Sequence, residues 1–287
     1  MDIVHAAEMS WGANLASHRH GDMAHKLLFE GEEGSPDNHL LVLAREGSSY
    51  YSPRHRHAWD QVRFCLEGSV PLAKSLRLEA GEVAYFPEAV PYGPHEGGPD
   101  RIVLLLQFGG PSGLGYLSAR QLRAGIAALE REGAFEGGVF RRTGGDGPKN
   151  QDAYEAIWRQ VTGAPIAYPE PRYKAPIVMR PDAFAWKGAG PGVRRRVLGL
   201  FPERGLEVGF LALESGASSP LGPPGARRFV FVRSGEGRCE GQRCGAQTAV
   251  RLEPGEAARF EASAPTELFV ISAEPVGRCP TAPNPPS

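Results

Sequence analysis

Histidine is missing from most of this chain. All eight fall at positions 5, 18, 20, 25, 39, 55, 57 and 95 of 287 residues, so the C-terminal two-thirds has no imidazole at all. An excess of one charge is missing too. With 32 Lys+Arg against 33 Asp+Glu, the electrostatic case for binding nucleic acid or a membrane surface falls away. No apolar run approaches the roughly 20 residues that span a bilayer. The start, Met1-Asp-Ile-Val-His-Ala-Ala-Glu8, has neither a basic region nor an apolar one, so no secretory leader is visible and a cytoplasmic location is expected. Four cysteines do not make a disulfide framework. Cys65 lies in an apolar strand and reads as a buried core thiol. Cys239, Cys244 and Cys279 lack a fourth ligand, because no histidine follows residue 95, and closed zinc sites want four N or S donors.

Turn-forming residues are plentiful. The 37 glycines and 26 prolines, with 41% hydrophobic residues, suit a β protein with many chain reversals. An internal repeat supports this. Leu78-Glu-Ala-Gly-Glu-Val-Ala-Tyr-Phe86 is matched by Leu252-Glu-Pro-Gly-Glu-Ala-Ala-Arg-Phe260. Apolar strands ending in glycine precede both copies, Val62–Gly68 and Phe229–Gly235. On this alignment Gly68 matches Gly235 and Gly81 matches Gly255. Counting back from the first glycines, His55, His57 and Gln61 match Gly222, Pro224 and Arg228, and Tyr92 matches Thr266. The second copy thus keeps the skeleton without the ligand-type side chains. It should hold no metal and serve packing, substrate enclosure or dimerisation. Its central hairpin reads as longer, with 20 residues from Gly235 to Gly255 against 13 from Gly68 to Gly81.

The expected architecture is mainly all-β, two barrels per chain related by a pseudo-two-fold, with a short helical segment between them. Strand signals bracket the barrels at Leu40–Ala44, Ile102–Phe108, Leu206–Leu213 and Leu268–Ile271. Ser118-Ala-Arg-Gln121 is a capping box that opens a helix to about Glu132. A second helix runs from Asp152 to Val161 and ends at Gly163. Gly137-Gly138 and Thr143–Pro148 read as loop, and Ala164–Pro181 as a proline-stiffened connector. The expected divisions are residues 1–115 for the first barrel, 116–185 for the connector, 186–278 for the second barrel and 279–287 for a disordered tail.

The most informative run is Tyr50-Tyr-Ser-Pro-Arg-His-Arg-His-Ala-Trp-Asp-Gln61. Residues i and i+2 of an extended segment share a face, so His55 and His57 can converge on one ion. Gln61 follows four residues later, then Gly68, then Gly81-Glu-Val-Ala-Tyr-Phe-Pro87-Glu-Ala-Val-Pro-Tyr92. This spacing resembles the cupin superfamily, in particular two-barrel bicupins with a degenerate C-terminal barrel. The resemblance implies double-stranded β-helix (jelly-roll) barrels. The chain departs from the family pattern in having Gln61 for a glutamate, Ala89 for a glycine and Tyr92 for a third histidine.

The resemblance also implies one divalent transition metal in the N-terminal barrel, at His55 and His57, completed by Gln61, Tyr92 or His95. His95 would point away in a regular strand, but Gly93-Pro94 could bend it inward. Gln61 and Tyr92 double as the catalytic candidates. Imidazole donors with few carboxylates suit Fe, Zn, Ni, Mn or Cu over Mg and Ca, with Fe first because open sites of this kind favour oxygen chemistry. The implied activity is a metal-dependent enzyme acting on a small organic substrate, with a dioxygenase first. A redox-neutral isomerase, cyclase or decarboxylase and a non-catalytic small-molecule sensor are the alternatives. A homodimer is compatible with all three. His18-Arg-His20 reads as an exposed N-terminal segment. Gln107, inside an apolar strand, needs a hydrogen-bond partner and is a candidate substrate contact.

Overall fold

A computed structural model describes residues 1–15, 17–222 and 225–276. The expected tail, Cys279 and Pro224 lie outside the described residues. The chain divides into two compact units, Trp11–Val178 and a second made of Met1–Ser10 with the chain from Met179 onward. Both are built on antiparallel sheets of the jelly-roll kind, the fold expected from the sequence.

In the first unit a six-stranded sheet has the order Ile177–Met179, Val83–Phe86, Trp59–Glu67, Arg101–Gly109, His39–Glu46, Met23–Glu30. The facing wall is less regular. It consists of the hairpin Ser69–Ala73 with Leu76–Glu79, and of isolated bridges that pair His55 with Tyr92 and Ser52 with His95. Period-two alternation aims Trp59, Gln61 and Arg63 of one strand and Leu105 and Gln107 of the next at the same interior. Deeper in, Cys65, Val70, Leu72, Leu78, Phe86 and Val103 form the dry floor. Cys65 is fully buried there, and the loss of water pushes its thiol up to about 12.

Of the stretch read as a connector, residues 116–178 belong to this unit and 179–185 to the other. The first helix, Ala119–Leu129, starts at the Ser118 capping box, and the second, Ala153–Thr162, is capped by Asp152 and ends at left-handed Gly163. The glycine-rich interval between them is not only loop. It forms a three-stranded sheet of Gly133–Glu136, Val139–Arg142 and Asn150–Asp152. Helices and sheet share a core of Ile126, Leu129, Phe140, Ile157 and Trp158, and that core continues into Trp59 of the barrel. A segment with its own apolar faces must bury them, and the open end of the barrel is where they go.

The second unit has a seven-stranded sheet, ordered Asp2–His5, Thr248–Leu252, Arg227–Ser234, Thr266–Ala273, Leu206–Leu213, Val193–Phe201, Lys187–Gly190. Against it lies a four-stranded sheet of Ser218–Pro220, Arg259–Ala262, Glu236–Cys239 and Gln242–Gly245. The first residues of the chain are an edge strand here rather than part of the first barrel, paired from Asp2 with Arg251 to His5 with Thr248. The Met1 amino group caps this arrangement by an ion pair with Glu256.

Strand pairing corrects the alignment of the two copies. Gln61 pairs with Phe86, and Arg228 pairs with Leu252. Leu252 is therefore the counterpart of Phe86, not of Leu78. Likewise the backbone pair His55–Tyr92 has its counterpart in the Leu221 amide, which donates to the Ala258 carbonyl. Tyr92 thus corresponds to Ala258 rather than Thr266, and the central hairpin of the second copy is not lengthened. The Gly-Glu-x-Ala run misled because tight turns of similar composition recur at different points of the same topology. The match of Gly68 with Gly235 survives, for both have a positive φ (77° and 85°) at the end of equivalent strands.

The interior of the second unit is filled by its own chain. Arg228 is fully buried and donates to the carbonyls of Leu221 (3.1 Å) and Glu256 (3.2 Å). A Cβ at Gly222 would lie 2.8 Å from the Arg228 guanidinium, so glycine is what admits that side chain. Cys239 and Cys244 are buried in the same core.

Candidate functional site

His55 and His57 leave the irregular wall of the first unit, and both rings turn inward. Their Nε2 atoms meet the same partner, the Tyr92 hydroxyl, at 3.0 Å and 2.5 Å. The His55–Tyr92 bridge makes this local geometry. Backbone hydrogen bonds of 3.0 and 2.9 Å tie the two residues together, so their side chains emerge side by side. On the outer side, His55 Nδ1 lies 2.7 Å from the Pro53 carbonyl. A carbonyl can only accept, so that nitrogen carries the His55 proton and Nε2 presents a lone pair. His57 is held from behind by Trp59, stacked at 4.3 Å with 14° between planes.

Arg63 completes the cluster, and the sequence reading did not single it out. Its Nη2 donates to the Tyr92 hydroxyl at 3.0 Å, while Nη1 lies 3.4 Å from His95 Nε2. Gln61 stands beside it. With the amide placed so that its oxygen faces the guanidinium, it accepts from Arg63 Nε at 2.5 Å and Nη2 at 3.0 Å. Gln61 and Gln107 face each other across adjacent strands, their amides 3.2 Å apart. The signal for Arg63 was present: it follows Gln61 by two residues, hence shares its strand face.

Proton bookkeeping at Tyr92 closes. The phenol proton goes to His55 Nε2, because His55 already spends its own on Pro53. His57 Nε2–H and Arg63 then donate to the phenol oxygen, which has two lone pairs to receive them. Burial pushes His57 and His95 well below the ordinary imidazole range, and neighbouring cations add to this. Both rings are neutral. Burial raises Tyr92, and the nearby Arg63 and Arg19 guanidiniums pull the other way.

His95 does turn inward after Gly93, whose φ is 94°, and it is 1% exposed. It does not join the other two histidines. Its ring lies 6.4 Å from that of His55, and Arg63 holds it. Gln61 is likewise committed to Arg63 and Gln107. The structure therefore brings His55, His57 and Tyr92 together and leaves Gln61 and His95 as neighbours.

Those three donors fit one divalent ion. Metal–ligand bonds of about 2.0–2.2 Å place adjacent donor atoms about 3 Å apart, the spacing seen around the Tyr92 oxygen. Among the described residues no three His, Cys, Asp or Glu side chains gather closely enough to hold an ion, and the third donor beside His55 and His57 is the phenol.

A cavity of about 120 Å³ opens in front of the cluster. Its apolar wall includes Leu40, Val42 and Leu105, and Tyr116, Leu122 and Tyr154 of the helical segment cover its mouth. His18 and Arg19 also line it and are only 6% and 7% exposed, which corrects the reading of that segment as surface. Arg19 is drawn in by an ion pair with Asp152 (3.2 Å) and a bond to the Gly138 carbonyl.

The fold is of the jelly-roll kind that the sequence resemblance implies. No family model and no curated protein matches the sequence. Among solved structures, the chain is similar to a "putative dioxygenase" from Nostoc punctiforme, with 11% identity, TM-score 0.60, and 98% of this chain and 85% of that one covered. It is similar to a deletion variant of oxalate decarboxylase from Bacillus subtilis, with 12% identity, TM-score 0.56, and 95% and 77% covered. Protein YlbA from E. coli matches with 8% identity, TM-score 0.56, and 94% and 89% covered. At such identities the likeness is one of fold.

Proposed function

We propose that the N-terminal barrel is a metal-dependent small-molecule site, in which His55, His57 and Tyr92 hold one divalent transition ion and an organic substrate occupies the adjoining cavity. The observation that carries this reading is the convergence of two neutral imidazoles and a phenol at donor-atom spacing, beside a cavity. The ion, with Fe first and Zn, Ni, Mn or Cu as alternatives, would supply Lewis acidity or oxygen activation at an open coordination position. Oxidation of the dioxygenase kind is the leading reaction class, because nitrogen-rich open sites suit oxygen chemistry.

The chain's own residues have distinct tasks. The Pro53 carbonyl holds His55 in the tautomer that presents Nε2. Tyr92 must give up its proton to act as an anionic donor, and the hydrogen bond from Arg63 favours that form. Gln61 positions Arg63 by accepting from its guanidinium. Leu40, Val42 and Leu105 exclude water from the substrate's apolar body.

One feature favours a second reading, a sensor that binds without catalysis. The hydrogen bonds around Tyr92 are complete as they stand, so the barrel does not require an ion to satisfy its polar groups. Metal analysis of freshly purified protein separates the two. The enzyme reading expects about one equivalent of a transition metal, lost in His57→Ala, since two donors cannot hold the ion against water. Protein that carries no metal and takes up none when titrated would leave the sensor reading in its place.

A further inference from the structure

Arg63 is a buried cation without a counter-ion. It is 7% exposed, and its hydrogen bonds go to a phenol, an amide and an imidazole, all neutral acceptors. Among the described residues no carboxylate pairs with it. The other charges that reach the same cavity are accounted for. Arg19 is paired with Asp152 at 3.2 Å, Glu46 with Arg101 at 2.5 Å, and Arg56 lies exposed over the Tyr168 ring at 4.0 Å. A guanidinium stays protonated at any ordinary pH. Removing it from water is costly unless a negative charge approaches, and Arg63 lines the cavity, from which one can do so.

We infer that this cavity takes an organic monocarboxylate, its carboxylate set against Arg63 and its apolar body against Leu40, Val42 and Leu105. Gln107, on the strand beside Gln61, offers the carboxylate a second donor. The polar and apolar halves of the lining fit a ligand charged at one end only. Size limits it further. A dry cavity of about 150 Å³ admits benzene, so about 120 Å³ admits a body of one small ring or a short aliphatic chain. A dicarboxylate would place its second charge against the aliphatic wall and is disfavoured. This inference names the substrate class of the site proposed above but does not need the metal, because in the metal-free protein Tyr92 is a neutral phenol and Arg63 supplies the positive charge.

The test is calorimetric titration of the full chain, stripped of metal with a chelator, at pH 8 in low-chloride buffer. Benzoate and hexanoate are compared with benzamide and hexanamide, which have nearly the same shape without the charge. Each acid should bind with a Kd below about 1 mM and at least about tenfold more tightly than its amide. Arg63→Gln should bring acid and amide within about threefold of each other, and Arg63→Lys should keep a preference for the acid. The wild-type acid–amide comparison decides the matter even if Arg63→Gln fails to fold. Equal binding of acid and amide, or no binding of either acid, overturns the inference. Metal content in His57→Ala is measured separately. A metal-free wild type that still prefers acids would sink the metal reading alone, and a metal-loaded one that is indifferent to charge would sink this one alone.

Discussion

Tyr92 is the residue on which the site turns. Its oxygen gives one hydrogen bond and receives two, and every partner is buried or half-buried. Tyr92→Phe keeps the ring, which packs edge-on against Phe86 at 4.7 Å. It leaves His57 and Arg63 each short of an acceptor, at a cost of about 1–3 kcal/mol for a buried unsatisfied group. We expect melting to fall by several degrees with the fold intact, and metal uptake to weaken as it does in His57→Ala. Unchanged melting in the metal-free protein would mean that water replaces the phenol with little loss. Ala89 offers a contrast. It stands where the family motif has glycine and adopts φ of 64° while 1% exposed, so this chain tolerates a strained alanine at a turn that places Tyr92.

At the scale of elements, Gly68 ends the strand that carries Gln61 and Arg63. Its φ is 77°, and a Cβ would lie 2.9 Å from the Asp100 carbonyl and the Arg101 Cβ. Gly68→Ala should cost about 1–3 kcal/mol, since left-handed strain of about 1–2 kcal/mol adds to the clash. Chemical denaturation would measure it, and a loss below about 0.5 kcal/mol would show that the turn relaxes. The second helix makes a separate prediction. Asp152 caps its N-terminus by accepting from the Tyr154 and Glu155 amides, and it also pairs with Arg19. Asp152→Ala should lose about 0.5–2 kcal/mol through the cap alone. It should also free Arg19 beside the cavity, so benzoate should bind at least as tightly as in the wild type. Asp152→Asn retains the cap and isolates the charge effect.

For the whole molecule, buried histidines set the response to acid. His18, His57 and His95 are held well below the ordinary value of 6.5, and His25 is lowered to about 4, in each case chiefly by burial. Below pH 6.5 the unfolded chain takes up protons that the folded chain refuses, so stability falls as pH drops. Each such group contributes about 1.4 kcal/mol per pH unit until its folded value is reached. Asp60 acts in the opposite sense. Burial raises it to about 7, so the stability it contributes is complete below 3.8 and is lost as pH rises through 7. Thermal melts of metal-free protein should therefore be highest from about pH 7 upward and fall below pH 6.5, with Asp60 offsetting part of the fall between pH 7 and 3.8. A flat profile from pH 7 to 5 would show that these imidazoles are solvated in the folded state.

The sequence alone was enough for the cupin barrels, the two helices with their caps, and the pairing of His55 with His57. Each depends on local information: turn glycines, a capping box, an i, i+2 spacing on an extended segment. Tyr92 was legible because the motif spacing placed it on the neighbouring wall. What the tertiary structure alone decided were long-range choices. Asp2–His5 joins a strand about 245 residues away, and no local pattern names its partner. The alignment of the two copies failed because similar turns recur, and only strand pairing distinguishes them. Residues 116–178 became part of the first barrel, and Arg19 came inside, because exposed apolar faces and one distant carboxylate had to be satisfied. Arg63 was in plain view in the sequence as one more charge among 32 Lys and Arg. Folding made it matter, by burying it where no carboxylate among the described residues pairs with it.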